Sequence, residues 1–449
     1  MKEKLLELGD RAVKAATKLG ADQAEAFLSS SKVFSIEVEK GAIKSASEKV
    51  DAGCGIRAVV GKSVGYSYVT TILEDDILAT AKRSVKLAKV SLPDPSFASL
   101  PSFDGTYPKV KDIFDPAVKQ LTAEAAADLI LRAVDASKEA VGGRRGIIEA
   151  GLTVASGASA VINSLGVSGT INGTSVNLST YVTIKEEDSQ SFSFEFQDSR
   201  ALKGIDPEWV GKTAAENTIK ALGTKTVESG EFPVILSPLA AAVILGFGFA
   251  GAINAEEVQF GRSYLTEALG KPVASKALKI TDDALLMGGI NTRPFDGEGV
   301  PSQKTPIIAS GVLKSFLHNS YSANKAGVES TGNASRESYT SLPAISSSNL
   351  VVQPGKGTHE DFVSEIGKGI LCRYTGDRPN MTTGDLSARV MEGCFSEGGE
   401  IQYPVKNTLI GINMRDLLQR VQSVGADTRS VRIVVSPSIV IEKAKITSG

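Results

Sequence analysis

Apolar residues first recur at helical spacing. Leu5, Leu8, Ala12, Ala16 and Leu19 share one face of a helix, and Gly20 is placed to end it with a left-handed cap. The period then shortens to two. Phe34, Ile36 and Val38 alternate with polar residues, as do Ile56, Ala58 and Val60, then Val64, Tyr66 and Tyr68, which predicts strands with one buried face. Gly61, Lys62 and Ser63 between the last two runs suit a hairpin. A helix over residues 75–88 is followed by a stretch at 92–116, rich in Pro, Ser and Asp, that reads as a long loop. Thr122 can cap a helix carrying Ala125, Leu129, Leu131 and Val134. Beyond Gly142 and Gly143 the alternation returns at Val176, Leu178, Thr180, Val182 and Ile184, and again at Phe192, Phe194 and Phe196. Asp206 and Pro207 supply the cap and first residue of a further helix, which Gly223 closes.

The second half has a different texture. Short apolar runs are broken at Gly288 and Gly289, 297–301, Gly311, 355–357, 376–379, and Gly398 and Gly399, the punctuation of an antiparallel sheet or barrel rather than of βαβ units. The predicted class is therefore α+β. An N-terminal mixed helix and antiparallel-sheet domain covers 1–223, and a mainly antiparallel, β-barrel-like domain covers 224–449. Residues 232–254 carry no charge and are numerous enough to span a bilayer. Ser237 and Pro238 inside the stretch, the glycines Gly246, Gly248 and Gly251, and the lack of a flanking Lys/Arg bias favour a buried strand followed by a buried helix.

Composition narrows the chemistry. The 449 residues carry 49 Lys and Arg against 51 Asp and Glu, a net charge of −2, so the basic excess of a nucleic-acid binder is absent. With 42% hydrophobic and 22% charged residues, disorder is excluded as the main state. The start MKEKLLELGDR has no apolar core of a signal peptide, and the expectation is a cytoplasmic protein without membrane contact. Two histidines, His318 and His359, and three cysteines without paired spacing, Cys54, Cys372 and Cys394, set a low ceiling on imidazole or thiolate chemistry. Residues 246–251 spell GxGxxG, but inside an apolar helix, where the glycines read as points of close packing.

The acidic positions leave two readings open. Glu256 and Glu257, at the end of the apolar helix, read as a solvated helix end, and Asp296 and Glu298 as turn residues; a metal or acid/base site is the alternative. His318 reads as a hydrogen-bonded structural histidine and His359 as a surface helix start, so a zinc site built on them would need carboxylate or thiolate help.

The run FDGEGVPSQKTPIIASGVLKSFLHNSYSANKAG at 295–327 and ESTGNASRESY at 329–339 resemble the TldD/PmbA family. So do PNMTTGDLS at 379–387, GGEIQYPVKNTLIG at 398–411, GADQAEAF at 20–27 and VDAGCGIRAVVGKSVGYSYV at 50–69, in family order along nearly the whole chain. The resemblance implies a cytoplasmic zinc peptidase assembled from two kinds of subunit. One kind carries HExxxH on a central helix and a cysteine near the C-terminus, and the other, the PmbA or TldE type, lacks both. Two imidazoles anchor the metal, the glutamate works on bound water, and a further protein ligand leaves one position open.

Setting Gly261, Arg262, Ser263, Tyr264 and Leu265 against the equivalent family turn brings HExxxH onto residues 246–251, where Gly246, Phe247 and Gly251 replace His, Glu and His. Residues 423–438 hold no cysteine, and Cys372 and Cys394 read as small packing residues. The chain is therefore expected to be the noncatalytic partner, with no cofactor of its own and zinc in an HExxxH-bearing TldD-like homologue. A heterodimer or larger assembly is implied, with a homodimer possible for the chain alone. Asp296, Glu298, His318, Asn319, Thr331, Asn333 and Arg336 are the candidates for contacting a peptide substrate, with folding the barrel as their other reading, and exposed sheet edges could take a peptide by strand addition. Two alternatives remain: a stand-alone hydrolase using Glu256, Glu257, Asp296 or Glu298 with His318, and a non-enzymatic homodimeric peptide-binding or assembly protein.

Overall fold

The computed structural model describes residues 1–186 and 189–449. Helix α1 (Lys2–Lys18) leads into the hairpins β1 (Gln23–Glu39), β2 (Ala42–Val60) and β3 (Ser63–Val69), then α2 (Glu74–Val90). After the long loop come α3 (Pro116–Lys119), α4 (Ala123–Val141), β4 (Gly146–Asn163), β5 (Ser168–Glu186), β6 (Ser189–Ser199) and α5 (Pro207–Lys220). Most of the local signals act as the pattern predicts, although Leu19 and Tyr68 are exposed rather than on buried faces. Leu5, Leu8, Ala12 and Ala16 are buried on α1 and Gly20 takes φ +96° behind it. The Thr122 hydroxyl accepts the Ala125 N–H, and the Asp206 carboxylate accepts that of Trp209.

Six antiparallel strands form one sheet in the order β3-β2-β1-β4-β5-β6. α1 and α2 cover one end, where Leu28, Cys54, Ile56 and Ile162 meet Leu5, Ala12, Ile77 and Val85. α4 and α5 cover the other, over Ile36, Leu152, Leu178 and Ile184. Because side chains alternate along a strand, the opposite face of the sheet is left to meet the second half of the chain.

That half begins with β7 (Gly230–Leu236), α6 (Pro238–Ile244), a π-helical turn over Leu245–Phe249, α7 (Ala250–Ala252) and α8 (Ala255–Gln259). It continues through β8 (Ile280–Asp283), β9 (Lys304–Ala309), β10 (Val312–Leu313), α9 (Ser320–Ala326), β11 (Ala334–Ser335), β12 (Ala344–Ile345) and β13 (Leu350–Val352). The remainder is α10 (His359–Glu365), β14 (Lys368–Tyr374), β15 (Asp385–Arg389), β16 (Glu392–Glu397), β17 (Glu400–Pro404), β18 (Thr408–Asn413), α11 (Met414–Gln419), β19 (Val421–Val424), β20 (Arg429–Val431), β21 (Val434–Ser436) and β22 (Ile439–Ser448).

Two larger sheets run β10-β9-β8-β13-β21-β20 and β15-β18-β22-β7-β14-β16-β17, with β19 added on β22. They share one core with the α6 segment, in which Val234, Leu239, Phe249, Ile280, Leu350 and Ile370 meet. The class is α+β, but the barrel-like expectation holds only as sheets around a common core. Neither sheet closes on itself in strand order, and β7–β14 and β13–β21 pair in parallel. The apolar helix supplies the burial that closure would otherwise provide. It also accounts for the charge-free stretch as strand plus helix, and among the described residues no helix is long and apolar enough to cross a membrane.

Candidate functional site

The helical segment in which the family resemblance places the vacated metal-ligand positions starts at Ser237, whose hydroxyl accepts the Ala240 N–H and donates to the Arg373 carbonyl at 2.9 Å. Helix α6 then widens into the π turn at Leu245–Phe249, a geometry often found where a helix serves a site. Its glycines do allow close approach. A Cβ on Gly248 would lie 2.9 Å from Pro379 and 3.1 Å from Met414, and one on Gly251 would lie 3.0 Å from Met381. Gly246 and Phe247 instead face a cleft, with the Arg378 guanidinium 4.3 Å from the centre of the Phe247 ring. Glu256 and Glu257 do not end this helix. The chain turns at Asn254, which caps the separate α8 by accepting the Glu256 N–H at 2.9 Å, and Glu257 pairs with Arg262.

The cleft has a volume of 590 Å³ and lies between the β5–β6 edge of the first sheet and the α6 segment. Tyr181, Phe192, Phe194 and Phe196 form its aromatic wall, with successive ring centroids 5.9–6.5 Å apart along Tyr181–Phe194, Phe192–Phe194 and Phe194–Phe196. Tyr374 meets Phe194 edge-on at 4.7 Å. The outer edge of β6 is closed to strand addition here. Arg373 donates to the Phe194 carbonyl and Arg429 to the Phe196 carbonyl, both at 3.1 Å, and both arginines also pair with the buried Glu195. Covering an edge in this way removes its template for another strand.

Asp296 and Glu298 sit in a turn, but a buried one. Asp296 accepts the N–H groups of Glu298, Val300 and Ala334, each at 2.9 Å, and so staples the FDGEG turn to β11. Glu298 accepts Arg57 at 3.0 Å and the Ser320 N–H at 2.9 Å. Arg57 also donates to Glu25 at 2.8 Å, and Glu25 in turn accepts Arg336. Burial opposes the charge on Glu298, yet the Arg57 guanidinium and the Ser320 N–H overcome it and hold the carboxyl below its usual range. The cluster joins β1 and β2 to the second half of the chain.

The remaining candidates belong to the same interlocked region. Asn319 caps α9 by accepting the Ser322 N–H at 2.8 Å. The Thr331 hydroxyl accepts the His318 N–H at 2.7 Å, and Asn333 donates to the buried Asp282 at 2.8 Å. Arg336 further ties the Gly297 and Ser341 carbonyls. Of the seven, Glu298 and Asn319 line a 250 Å³ cavity together with Arg57, Asp94 and Glu256, and Thr331 lies in a shallow surface depression beside Lys304 and Lys314. His359 begins α10 behind a Thr358–Asp361 capping box and reaches Asp427 at 3.1 Å. Cys54 and Cys372 are buried, their thiols pushed up to about 12 by burial. Cys394 is only half-buried and lines a different cavity.

His318 is buried, with Nδ1 3.1 Å from the Ser322 hydroxyl, and burial lowers its pKa below the ordinary value. The unfolded chain therefore takes up that proton more readily, so the contribution to stability is full above about 6.5 and is lost as pH falls through the folded value. Urea unfolding midpoints of the wild type are expected to drop between about pH 7 and pH 5 more steeply than those of His318→Gln. Parallel profiles for the two proteins would contradict a neutral, buried imidazole.

Sequence comparison adds identity to this geometry. Models of the PmbA/TldA metallopeptidase match in series: domain 1 over residues 24–88, the central domain over 116–222 and the C-terminal domain over 229–448. The chain belongs to the PmbA/TldD family. It is 28% identical over 447 residues to Metalloprotease PmbA of Escherichia coli O157:H7, covering 97% of this chain and 95% of that one. It is 28% identical to the Metalloprotease TldD homolog of Buchnera aphidicola subsp. Acyrthosiphon pisum, covering 87% and 83%. The crystal structure of TldE from Thermococcus kodakarensis shares the fold at a TM-score of 0.91 and 23% identity, over 98% of this chain and 100% of that one.

Within the PmbA/TldD frame the residues at 246–251 do not fit a zinc ion. Gly246, Phe247 and Gly251 offer no side-chain donor, and Met381 and Met414 crowd the space beside Gly251 and Gly248. Among the described residues no group of three or more His, Cys, Asp or Glu side chains is disposed to hold a metal. What sequence reasoning missed is the aromatic wall. Phe192, Phe194 and Phe196 were legible as an alternating strand; an aromatic at every second position on one face of an edge strand was the available sign of a lined cleft.

Proposed function

We propose that this chain is the noncatalytic, PmbA/TldE-type subunit of a heteromeric zinc metallopeptidase acting on unstructured peptides, and that it completes the chamber and substrate path around a zinc held by an HExxxH-bearing TldD-like homologue. One observation carries the reading: Gly246, Phe247 and Gly251 leave the motif positions without a donor atom and lie against packing residues and an apolar cleft. The hydrolytic chemistry then comes from the other subunit, while this chain binds and orients peptide. The metalloprotease names of its relatives fit a role in proteolysis. A relocated site on Asp296, Glu298 and His318 has no comparable support, because Asp296 is engaged by three backbone N–H groups and Glu298 by Arg57 and Ser320.

The test is co-expression with an HExxxH-bearing homologue from the same organism. The two chains are expected to copurify, with zinc and peptidase activity in the pair and neither in this chain alone. One tightly bound zinc per isolated chain, or partner-free cleavage lost on Glu298→Ala, would overturn the proposal. So would a stable homodimer that never exchanges with the homologue.

A further inference from the structure

We propose that the aromatic cleft beside Gly246 and Phe247 binds the C-terminal residue of a peptide, taking its apolar side chain against Tyr181, Phe192 and Phe247 and its α-carboxylate at Arg432 and Arg378. This rests on the reading of the chain as a peptide-handling subunit and adds which part of the peptide is held, and by what.

The cleft is built for an apolar group. Its 590 Å³ falls in the range of small-ligand sites. Tyr181, Phe192 and Met391 are 39%, 44% and 52% exposed, and all three line it. Single exposed apolar side chains are ordinary, but a contiguous set converging on one concavity from both halves of the chain marks a binding surface.

One cation lines the cleft and a second lies next to it. Arg432 lines the cleft from the turn between β20 and β21, at φ +52°, and Arg378 lies over Phe247. Both are exposed, and neither forms an ion pair among the described residues. The neighbouring arginines differ: Arg373 is held by Glu195 and Glu392, and Arg429 by Glu195. Asp377, next to Arg378, is turned to the Arg389 N–H at 2.6 Å. Two guanidiniums that have no carboxylate partner among the described residues, set beside an apolar pocket, complement a carboxylate attached close to an apolar side chain. A chain end satisfies this better than a segment running through. The carbonyls of Phe194 and Phe196 on the β6 edge are already taken by Arg373 and Arg429, so a continuing strand would find no ladder there.

The experiment is fluorescence anisotropy on the full chain with a labelled hexapeptide ending in phenylalanine, offered as the free acid and as the C-terminal amide. The free acid is expected to bind about tenfold more tightly, equivalent to about 1.4 kcal/mol. Arg432→Glu and Arg378→Glu should each erase most of that preference while hardly altering the amide, and Phe192→Ser should weaken both peptides. The three positions are exposed, and unchanged urea midpoints would confirm folded variants. Equal affinity for acid and amide, or no binding of either by the wild type, overturns the inference. If that failure is found while the copurified pair still shows zinc-dependent cleavage, the subunit reading stands and only the cleft assignment falls. Acid-selective binding by a chain that never associates with the homologue has the opposite meaning: the cleft stands and the subunit reading falls.

Discussion

Arg57→Ala is expected to destabilise the protein by about 3–5 kcal/mol, the cost of stranding buried charge. The Arg57 side chain is 8% exposed and stands between Glu25 and Glu298, themselves 1% and 2% exposed. Removing it leaves two carboxylates in the interior. Glu25 keeps Arg336 and Glu298 keeps the Ser320 N–H, so each is only partly compensated. Burial by itself would lower the Arg57 pKa; the two carboxylates outweigh it and raise it. The comparison that isolates burial is Arg132→Ala. Arg132 makes a two-pronged pair with Glu208 at 2.7 and 3.0 Å on the surface, and solvent screening limits such a pair to about 0–1 kcal/mol. Urea midpoints should therefore fall sharply for the first variant and barely for the second. A loss below about 1 kcal/mol at Arg57 would mean that the junction between the first sheet and the FDGEG turn is not closed as described.

The second large effect concerns helix packing. Gly211→Ala should cost about 2–3 kcal/mol even though alanine favours a helix over glycine by about 1 kcal/mol. A Cβ on Gly211 would lie 1.9 Å from the Ala133 carbonyl oxygen and 2.8 Å from its carbon. Backbone of a neighbouring helix cannot swing aside as a side-chain tip can, so α4 and α5 would have to separate. That movement also pulls on Ser137, whose hydroxyl lies 2.9 Å from both the Ala133 and Gly211 carbonyls, and opens the core over Leu178 and Ile184. Gly143→Ala is the control, since among the described residues nothing lies within 4 Å of a Cβ there. Equal thermal midpoints for the two variants would rule out the close crossing.

Both effects lie at positions whose meaning is hard to see in one dimension. Gly211 is one of 44 glycines, and only the crossing of α4 over α5 makes it irreplaceable. Arg57 and Glu298 are 241 positions apart, and Glu25 and Arg336 are 311 apart. Asp296 and Glu298, in a glycine-rich turn, had every local sign of solvated turn residues; their burial comes from β11, β1 and β2 closing over them. The cleft was hidden for the same reason. Its walls come from β5, β6, α6, β14 and the β20–β21 turn, and no window of sequence holds more than part of it.

By itself the sequence determined what depends on near neighbours: the α1 face from Leu5 to Ala16, the caps at Thr122 and Asp206, the alternating strands, and motifs specific enough to imply the PmbA/TldD family. It also determined that Gly246, Phe247 and Gly251 stand where the resemblance implies metal ligands, because a missing donor atom is a property of residue type. Tertiary structure decided what those positions became. The glycines at 248 and 251 admit Pro379, Met414 and Met381, while Gly246 and Phe247 turn to an aromatic cleft opposite β6. Periodicity and capping are set within a few residues of chain. Burial of charge and the shape of a cavity are set by which distant segments meet, and that is fixed only when the whole core packs.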